Sequence, residues 1–459
     1  MPPSRRERHR LECDRSDRVA GSLARPRSCG DRHGRQRQDH GPGAGDAAEA
    51  AGCDDRGRGA LAARRRPIPA ACGVQPGMSN RRTVFLVCPY GQIGGGMGSI
   101  MDYLASQQHD PLDRFDLKRL ESRGGGHIAF SPLFLAAAVG RIVLEAMRGR
   151  LAVVHLNLAE RGSVYRKAVL LAVAKLSGGR VLLHLHAAQI VQFHASVGPA
   201  RRMLMRWMFH AADHCVVLGE VWRRWVADTF DIRANRISVI YNGVPATAPR
   251  PRTVPRDGRF RLLFVGNLLE RKGVKDLLQA FATPSLRSRN IELTMAGGGP
   301  VEQCRALAQQ LGIADRLRFT GWVSQEAARD LMVNADALIL PAYDEGLPLV
   351  ILEALASATP VICTPVGSIP EVLADHETAL FVSPGDVSGI AAAIVELIDQ
   401  PATGRRIAAA GSALYERLFT MEAFARSIGS LYATLAPRDA SPGAPAWPPV
   451  REARDNRQR

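Results

Sequence analysis

Short apolar runs rich in Val, Leu and Ile recur along this chain, and segments of helix-like composition separate them. Continuous apolar runs of this length are typical of strands that are buried on both faces of a parallel sheet. Their alternation with helices predicts an α/β fold in which helices cover both faces of the sheet. The runs lie at residues 83–88, 151–156, 180–186, 213–218, 237–240, 260–266, 291–297, 316–321, 336–341, 359–364 and 379–383.

A polar stretch with four prolines follows Val244 and divides the runs into two groups. Such a stretch marks a linker, so we predict two Rossmann-like, doubly wound domains that face each other. With 459 residues and 46% hydrophobic composition, the chain is long enough for two sizeable cores. The predicted domains are 78–245 and 260–435, and the predicted linker is 246–259.

The two ends of the chain differ from the rest in composition. Residues 1–77 contain 16 Arg, no Lys, 10 acidic residues and no aromatic residue other than His. Such a segment can bury little apolar surface, so we predict a disordered leader that ends before Met78. Its arginines could instead bind nucleic acid, but they lack the interleaved aromatics and the folded motif that such binding uses. The tail, 436–459, is rich in Pro, Arg and Asp and is also predicted to be disordered.

The charge and the apolar segments limit the class of protein. The formal net charge of +16 favours anionic partners, and no nucleic-acid partner is expected. The N-terminus lacks the apolar core of a signal peptide. The most apolar helical segment, "FSPLFLAAAVGRIVLEAM", is interrupted by Arg141 and therefore predicts a globular helix rather than a membrane span. The eight cysteines are scattered, which favours a reducing, cytoplasmic location.

Ligands of parallel sheets bind beyond the carboxyl ends of the strands, and a glycine-rich segment follows the first run. This segment, "PYGQIGGGMGS", includes Gly95 and Gly96. Its spacing does not give a clean dinucleotide fingerprint. Backbone amides of such a loop can approach a phosphate, but a tight turn between strand and helix explains the glycines equally well.

Two cations follow the first run of the second group, in "NLLERKGVKDLLQAF". Arg271 and Lys272 stand before Gly273 and a helical pattern, where they could neutralise a diphosphate. Two solvated charges on a loop would be the simpler explanation of an isolated pair. The anion-suited segment at 344–353 favours the functional interpretation.

The stretch "YDEGLPLVILEA" places Glu345 and Glu353 on the two sides of a glycine-proline turn. Pro348 suits the first turn of a helix, so the neighbouring amides are predicted to point into the crevice and to bind an anion. Carboxylates beside a phosphate would repel it unless they bind hydroxyl groups. A sugar on one side of a diphosphate and a ribose on the other would supply those hydroxyls.

The ordered motifs resemble retaining glycosyltransferase family 4. "EGLPLVILE" looks like the E-x7-E motif of that family. Around it, the segments "FVGNLLERKG", "AGGGP", "FTGWV" and "LFVSPGD" occur in the order that is typical of the family. The similarity extends over roughly residues 82–435 and is strongest at 264–386. It implies the GT-B fold and a nucleotide-diphosphate sugar as donor, held mainly by the second domain.

The resemblance also implies roles for individual residues. Lys272 and Arg271 match the cations of the donor diphosphate, Glu353 matches the ribose-binding acid, and Glu345 matches the acid near the donor sugar. His186 matches a histidine that touches the donor sugar, so Glu345, His186 and Lys272 are the implied catalytic residues. The other implied donor-binding residues are Gly95, Gly96, Trp322, Val323, Gly346, Leu347, Pro348 and Leu349.

One position departs from the family pattern. Asn267 stands where the family usually has an arginine, so half of the usual cationic clamp is missing. Arg271 could replace it. The departure bears on how tightly the diphosphate is held and less on the class of reaction.

The sequence contains no Asp-x-Asp pair, so no metal bridging the donor phosphates and no other cofactor is expected. Cations and helix amides would then stabilise the departing nucleotide diphosphate. Front-face transfer with retention of configuration is the expected reaction, and the expected acceptor is a glycan or a lipid-linked saccharide in polysaccharide or glycolipid biosynthesis.

Two segments of the first domain bear on the acceptor. Arg161, Arg166 and Lys167 could hold an anionic acceptor, although a basic solvated helix face explains them equally well. The amphipathic pattern of 201–210 could contact the inner face of the cytoplasmic membrane peripherally or simply cover a sheet. Two rival functions stay open: a catalytically weak nucleotide-sugar-binding protein and a dinucleotide oxidoreductase with paired Rossmann domains.

Overall fold

The computed structural model describes residues 81–89, 91–107, 110–124, 127–186, 188–247 and 258–437. In these ranges the strands form two six-stranded sheets, and strand pairs in both are parallel. The predicted leader 1–77, nearly all of the tail 436–459 and most of the linker 246–259 lie outside the described residues.

The first sheet has the strand order β2-β1-β3-β4-β5-β6. Because β1 pairs with both β2 and β3, the chain reverses its direction of winding at β1, as it does in doubly wound sheets. The strands are β1 (Arg82–Val87), β2 (Phe115–Leu120), β3 (Leu151–Leu158), β4 (Arg180–Leu185), β5 (His214–Val217) and β6 (Ile237–Val239).

The second sheet has the order β12-β11-β10-β7-β8-β9, so its direction of winding reverses at β7. Its strands are β7 (Phe260–Val265), β8 (Ile291–Ala296), β9 (Leu317–Gly321), β10 (Ala337–Leu340), β11 (Val361–Cys363) and β12 (Leu380–Phe381). The two sheets confirm the predicted fold class, a pair of Rossmann-like units.

Each of the eleven predicted runs overlaps one of these strands, and β2 is the strand that the pattern did not predict. Its sequence, FDLKRL, alternates in polarity because β2 lies at the edge of the first sheet, where its middle residues are only half-buried. A continuous apolar run is expected only of strands that are buried on both faces.

Helices cover both sheets. Those of the first half are α1 (Gly91–Ala105), α2 (Ser131–Met147), α3 (Gly162–Leu176), α4 (Ile190–Ser196), α5 (Pro199–Ala211) and α6 (Glu220–Phe230). Those of the second half are α7 (Val274–Phe281), α8 (Pro284–Arg287), α9 (Val301–Gln310), α10 (Gln325–Asn334), α11 (Leu349–Ala356), α12 (Ile369–Val372), α13 (Val387–Asp399), α14 (Pro401–Leu418) and α15 (Met421–Leu435). We call β1–β6 with α1–α6 the N-terminal lobe and β7–β12 with α7–α14 the C-terminal lobe.

The last helix, α15, follows the C-terminal lobe in sequence but packs against the N-terminal lobe. Phe424, Ile428 and Tyr432 are buried in one cluster with Val84 and Leu86 of β1, on the face of the first sheet that α1 also covers. This helix lies within the predicted second domain, 260–435, and packs on the first sheet. Apolar residues of α15 are buried against the first sheet, so the end of the chain ties the two lobes together.

Candidate active site

The cation pair lies on a short turn after β7. Glu270–Lys272 form one turn of 3₁₀ helix, and Gly273 then adopts a left-handed conformation with φ of 68°. A Cβ at residue 273 would overlap the carbonyl oxygen of Pro341, which follows β10. Glycine is therefore required here both by the dihedral angle and by the close approach. The approach brings Lys272 beside the loop that carries Glu345.

The side chains of this pair converge on one carboxylate. The Lys272 ammonium forms an ion pair with the Glu345 carboxylate, which is 6% exposed. The Arg271 guanidinium lies 3.6 Å from Glu345 Oε1 and donates a hydrogen bond of 3.1 Å to the carbonyl oxygen of Asp344. The structure thus brings together three of the predicted site residues, Arg271, Lys272 and Glu345, in one cluster.

The loop between Glu345 and α11 is fixed from behind by a second segment. Gly367 has φ of 59°, and a Cβ there would overlap the carbonyl oxygen of Glu345. The N–H of Ser368 donates to the carbonyl oxygen of Gly346 over 2.9 Å. These close contacts hold Gly346 and Leu347 in the buried loop that leads into α11.

The helix α11 begins one residue later than the proline pattern predicts. Pro348 has φ of −71° and ψ of 131°, so it is the residue before the helix, and Leu349 opens the first turn. The extended ψ arises because the chain enters α11 from the loop held by Gly367. The first-turn amides of a helix have no partners within it, so this end suits an anion.

The glycine-rich segment of the N-terminal lobe faces this helix end. Gly95 has φ of 50° and ψ of −146°, which places a kink inside α1. At Gly96 an added Cβ would lie 3.1 Å from Leu349 Cδ1. The two lobes therefore approach each other at Gly96 and Leu349, and two of the predicted donor-binding segments share one crevice.

His186 follows β4 at the same edge of the first sheet. Its Nε2 lies 2.8 Å from Asn157 Oδ1, and Asn157 Nδ2 donates to the carbonyl oxygen of Val87 over 3.3 Å. Because Asn157 Oδ1 can only accept, His186 Nε2 carries the proton and Nδ1 is an acceptor. Burial lowers the pKa of His186 to about 3, so the ring is neutral at physiological pH.

Glu353 lies on α11 beside residues that the sequence did not single out. Burial raises the pKa of Glu353 to about 7, although the positive charge of Arg329 acts in the opposite direction. The Arg329 guanidinium on α10 donates to the Tyr103 hydroxyl on α1 over 3.3 Å. Arg329 and Tyr103 are common residue types on amphipathic helices, so no sequence signal could have found them.

The remaining predicted residues lie in the segments that follow β7 and β9. Trp322 and Val323 follow β9, and the Trp322 side chain is 53% exposed. Asn267 is exposed after β7 and lies near Gly298, where an added Cβ would be 3.8 Å from Asn267 Oδ1. Asn267 thus lies outside the cluster of Arg271, Lys272 and Glu345.

Two hydrogen-bonded contacts join the lobes beside the site. Gln192 Nε2 of α4 donates to Asp344 Oδ2 over 3.2 Å. The Glu371 carboxylate accepts the N–H groups of Glu220 and Val221, at 2.6 and 2.7 Å, and so caps the start of α6. These contacts connect residues about 150 positions apart, so motif analysis could not predict them.

Within the part of the chain that the structure describes, no group of three His, Cys, Asp or Glu residues is placed to hold a metal ion.

Two family models match adjacent parts of the chain. One, described as Glycosyltransferase Family 4, matches residues 105–247, and the other, described as Glycosyl transferases group 1, matches residues 247–413. Together they span residues 105–413, a range that includes every predicted site residue except Gly95 and Gly96.

Curated relatives match chiefly over part of their length. Glycogen synthase of Mycobacterium tuberculosis is 30% identical over 234 residues, which are 49% of this chain and 55% of the relative. D-inositol 3-phosphate glycosyltransferase of Streptomyces scabiei is 32% identical over 241 residues, 47% of this chain and 53% of the relative. The chain thus spans about half the length of these relatives.

Solved structures share the fold at low sequence identity. Anabaena HepE, crystallised in complex with UDP and glucose, has a TM-score of 0.60 at 16% identity, covering 77% of this chain and 100% of that one. Sucrose-phosphate synthase of Thermosynechococcus elongatus has a TM-score of 0.60 at 22% identity, covering 77% and 99%. The arrangement of two lobes is therefore the one found in these proteins.

Proposed function

We propose that this chain is a GT-B glycosyltransferase similar to those of family 4, and that it transfers a sugar from a nucleotide-diphosphate sugar to a hydroxyl group with retention of configuration. The observation that carries the proposal is the cluster of Arg271, Lys272 and Glu345 beside the start of α11. A diphosphate and a sugar placed there would meet cations, helix amides and a buried carboxylate at once.

Each group of the cluster has a role in this proposal. The donor diphosphate takes Lys272 and Arg271 as its counterions, and the first-turn amides of α11 add to its binding. Glu345 then accepts hydrogen bonds from hydroxyls of the transferring sugar, and Glu353 accepts them from the ribose. His186, which is neutral, offers Nδ1 to a sugar hydroxyl without adding charge. Gly346 to Leu349 shape the loop, while Trp322 and Val323 border the base.

In the proposed reaction the acceptor oxygen replaces the phosphate oxygen on the anomeric carbon. The acceptor oxygen forms a bond to the anomeric carbon on the face from which the diphosphate departs, and the bond between that carbon and the phosphate oxygen breaks. The acceptor proton passes to the departing phosphate oxygen. Lys272, Arg271 and the amides of α11 stabilise the negative charge that develops on the leaving group.

Nucleotide binding and transfer test this function together. Candidate nucleotide diphosphates and their sugars should raise the unfolding temperature, because they bind only the folded protein. Lys272→Met should abolish this shift. Lys275→Met, at an exposed position three residues away, is the matched control and should keep it. A protein in which no nucleotide diphosphate raises the unfolding temperature would contradict the proposal.

The same assay separates the two rival functions. A nucleotide-sugar-binding protein without catalysis, for which Asn267 is the motivating residue, would show the thermal shift but neither transfer nor hydrolysis of the donor. A dinucleotide oxidoreductase would respond to a nicotinamide or flavin dinucleotide instead.

We further propose that transfer is independent of a metal ion. The motivating observation is the absence of an Asp-x-Asp pair from the sequence, together with cations placed where a diphosphate would bind. Transfer should therefore persist in EDTA at its original rate. Complete loss of transfer on chelation, restored by manganese or magnesium, would contradict this.

A second part of the proposal concerns the membrane. The helices α2, α3 and α5 pack side by side over the first sheet, and their single acidic residue, Glu145, is buried. Several large apolar side chains of this three-helix face are exposed, and basic residues accompany them. The exposed apolar residues are Leu133, Phe134, Met147, Tyr165, Val169, Leu176, Met203 and Trp207.

Basic and apolar side chains on one face suit the surface of an anionic bilayer. No helix in the described ranges combines the length and the apolar character that crossing a bilayer would require. We infer peripheral contact with the cytoplasmic membrane, which would bring the enzyme to a lipid-linked saccharide or a growing glycan.

Vesicle sedimentation tests this contact. The protein should bind vesicles of anionic phospholipid more tightly than neutral ones, and added salt should weaken binding. Met203→Glu and Arg201→Glu should each reduce binding, whereas Arg405→Glu, an exposed charge change on α14, should not. Equal binding by all variants would rule out this face.

A further inference from the structure

A lysine lies buried at the carboxyl end of the first sheet. Lys167, on the second turn of α3, is 2% exposed. Its ammonium donates one hydrogen bond of 3.2 Å to Ser122 Oγ, in the loop after β2, and lies close to Cys88 at the end of β1. The sheet winds in opposite directions on the two sides of β1, and ligands of doubly wound sheets bind at such a point.

Lys167 has no carboxylate partner among the residues that the structure describes. Among the residues that the structure describes, none with a carboxylate forms an ion pair with Lys167, Arg166 or Arg123. The acidic residue nearest to α3 in sequence, Glu160, is engaged elsewhere, since its Oε1 accepts the N–H of Gln189 over 2.9 Å. A buried charge without a counterion is costly, so a structural role alone does not explain Lys167.

Two arginines extend the positive charge from Lys167 toward the surface. Arg166 and Arg123 are half-buried, and the Nε of Arg166 is buried without a hydrogen-bond partner among the described residues. Burial lowers the pKa of Lys167 to about 7, with Cys88 acting in the opposite direction and the charge of Arg166 acting in the same direction. Burial and the charge of Arg123 lower the pKa of Arg166. The three like charges therefore destabilise one another unless an anion lies between them.

We propose that Lys167, Arg166 and Arg123 form a subsite for a phosphate group of the acceptor. The subsite rests on the proposed function, which it deepens by naming the acceptor as an anionic, phosphate-bearing molecule. The subsite lies in the N-terminal lobe, whereas the donor cations Arg271 and Lys272 lie in the C-terminal lobe. Donor and acceptor thus each have their own cations, and the acceptor is selected by its charge.

Thermal shift measurements with inorganic pyrophosphate test the subsite while a nucleotide diphosphate saturates the donor site. The wild-type protein should show a further rise in unfolding temperature on addition of pyrophosphate. In Lys167→Met the apparent dissociation constant should increase about tenfold or more, because a charged hydrogen-bond donor is lost. Arg166→Gln should act in the same direction.

The matched control is Lys175→Met at the other end of α3, where Lys175 is already paired with Asp213 at 2.9 Å. This variant should keep the pyrophosphate response. Lys167→Met should itself unfold at a higher temperature than the wild type, because it removes an uncompensated buried charge. A loss of response therefore cannot be ascribed to misfolding.

The outcomes distinguish the subsite from the proposed function. A nucleotide response with an equal pyrophosphate response in wild type and Lys167→Met would overturn the subsite alone. Absence of any nucleotide response would overturn the proposed function. Glycerol phosphate and farnesyl diphosphate, tested in the same way, distinguish a soluble phosphate ester from a lipid diphosphate. The compound that resembles the acceptor should lose more affinity in Lys167→Met than the other compound does.

Discussion

At the scale of single residues, Glu345 and Glu353 occupy different environments although eight positions separate them in one motif. Glu345 is buried against Lys272 and Arg271. In contrast, burial raises the pKa of Glu353 to about 7, and the charge of Arg329 acts against this shift. The Glu345 carboxylate therefore has two cationic partners, whereas burial disfavours the charged form of Glu353. They should therefore respond differently to the same substitution.

For Glu345→Gln we expect a large fall in turnover without weaker binding of the nucleotide diphosphate. The loss of the carboxylate leaves Lys272 and Arg271 with fewer competing partners, so affinity for the diphosphate should stay equal or increase. Calorimetric titration and a transfer assay check the two parts of this expectation. Reduced affinity for the nucleotide diphosphate would show that Glu345 contacts the nucleotide rather than the sugar.

For Glu353→Gln we expect weaker nucleotide binding, by about 1–3 kcal/mol if a charged hydrogen bond to ribose is lost. The raised pKa means that Glu353 favours the protonated form in the folded protein. Its unfavourable contribution to stability is absent below about pH 4.5, grows between pH 4.5 and 7, and is complete above about pH 7. The variant should therefore gain stability over the wild type at pH 8 and not at pH 4, as urea unfolding would measure.

At the scale of secondary-structure elements, the site depends on how closely the turn after β7 approaches the loop after β10. Gly273 and Gly367 each have a positive φ and each face a backbone carbonyl that a Cβ would overlap. The contact at Gly273 fixes the turn of Lys272 beside Pro341, and the contact at Gly367 fixes the backbone of Glu345. A site built on such contacts is positioned by backbone geometry before any side chain is placed.

We expect Gly273→Ala to destabilise the protein by more than about 1 kcal/mol and to weaken nucleotide binding, because both the dihedral angle and the overlap oppose a methyl group. Gly178→Ala is the matched control, since Gly178 has φ of 74° but no atom lies within 4 Å of the added Cβ. It should lose some stability and keep nucleotide affinity. Equal effects in both variants would mean that the overlap at Pro341 contributes nothing.

At the scale of the whole molecule, α15 couples the two lobes. Its residues Phe424 and Tyr432 are buried against the first sheet, and the Tyr432 hydroxyl lies 2.6 Å from His155 Nδ1 of β3. The helix follows directly on α14 of the C-terminal lobe. Stability of the N-terminal lobe is therefore expected to depend on residues at the far end of the chain.

For Phe424→Ala we expect a loss of about 3–5 kcal/mol, the usual cost of removing a buried phenyl group. Hydrogen exchange should rise in β1 and α1, although the substitution lies more than 300 residues away in sequence. Phe281→Ala, a buried phenyl group of α7, should instead raise exchange in the second sheet. Unchanged protection of β1 in Phe424→Ala would show that α15 does not support the first sheet.

Local patterns in the sequence were sufficient for all but one of the described strands and for the order of the segments that carry the predicted site residues. Apolar runs identify strands buried on both sides, and the glycines at 95, 96 and 273 and the cations at 271 and 272 mark the segments that end at the crevice. The edge strand β2 was missed, because a half-buried strand does not form a continuous apolar run.

The tertiary structure alone decided which distant residues meet. It placed Arg329 against Tyr103, packed α15 on the first sheet, and buried Lys167 with Ser122 as its hydrogen-bond partner. Such pairings depend on burial and on approach between segments far apart in the chain, which no local period encodes. The sequence therefore determined the architecture and the residue types available at the candidate site, whereas the packing of the two lobes determined the charges and contacts that each of those residues has.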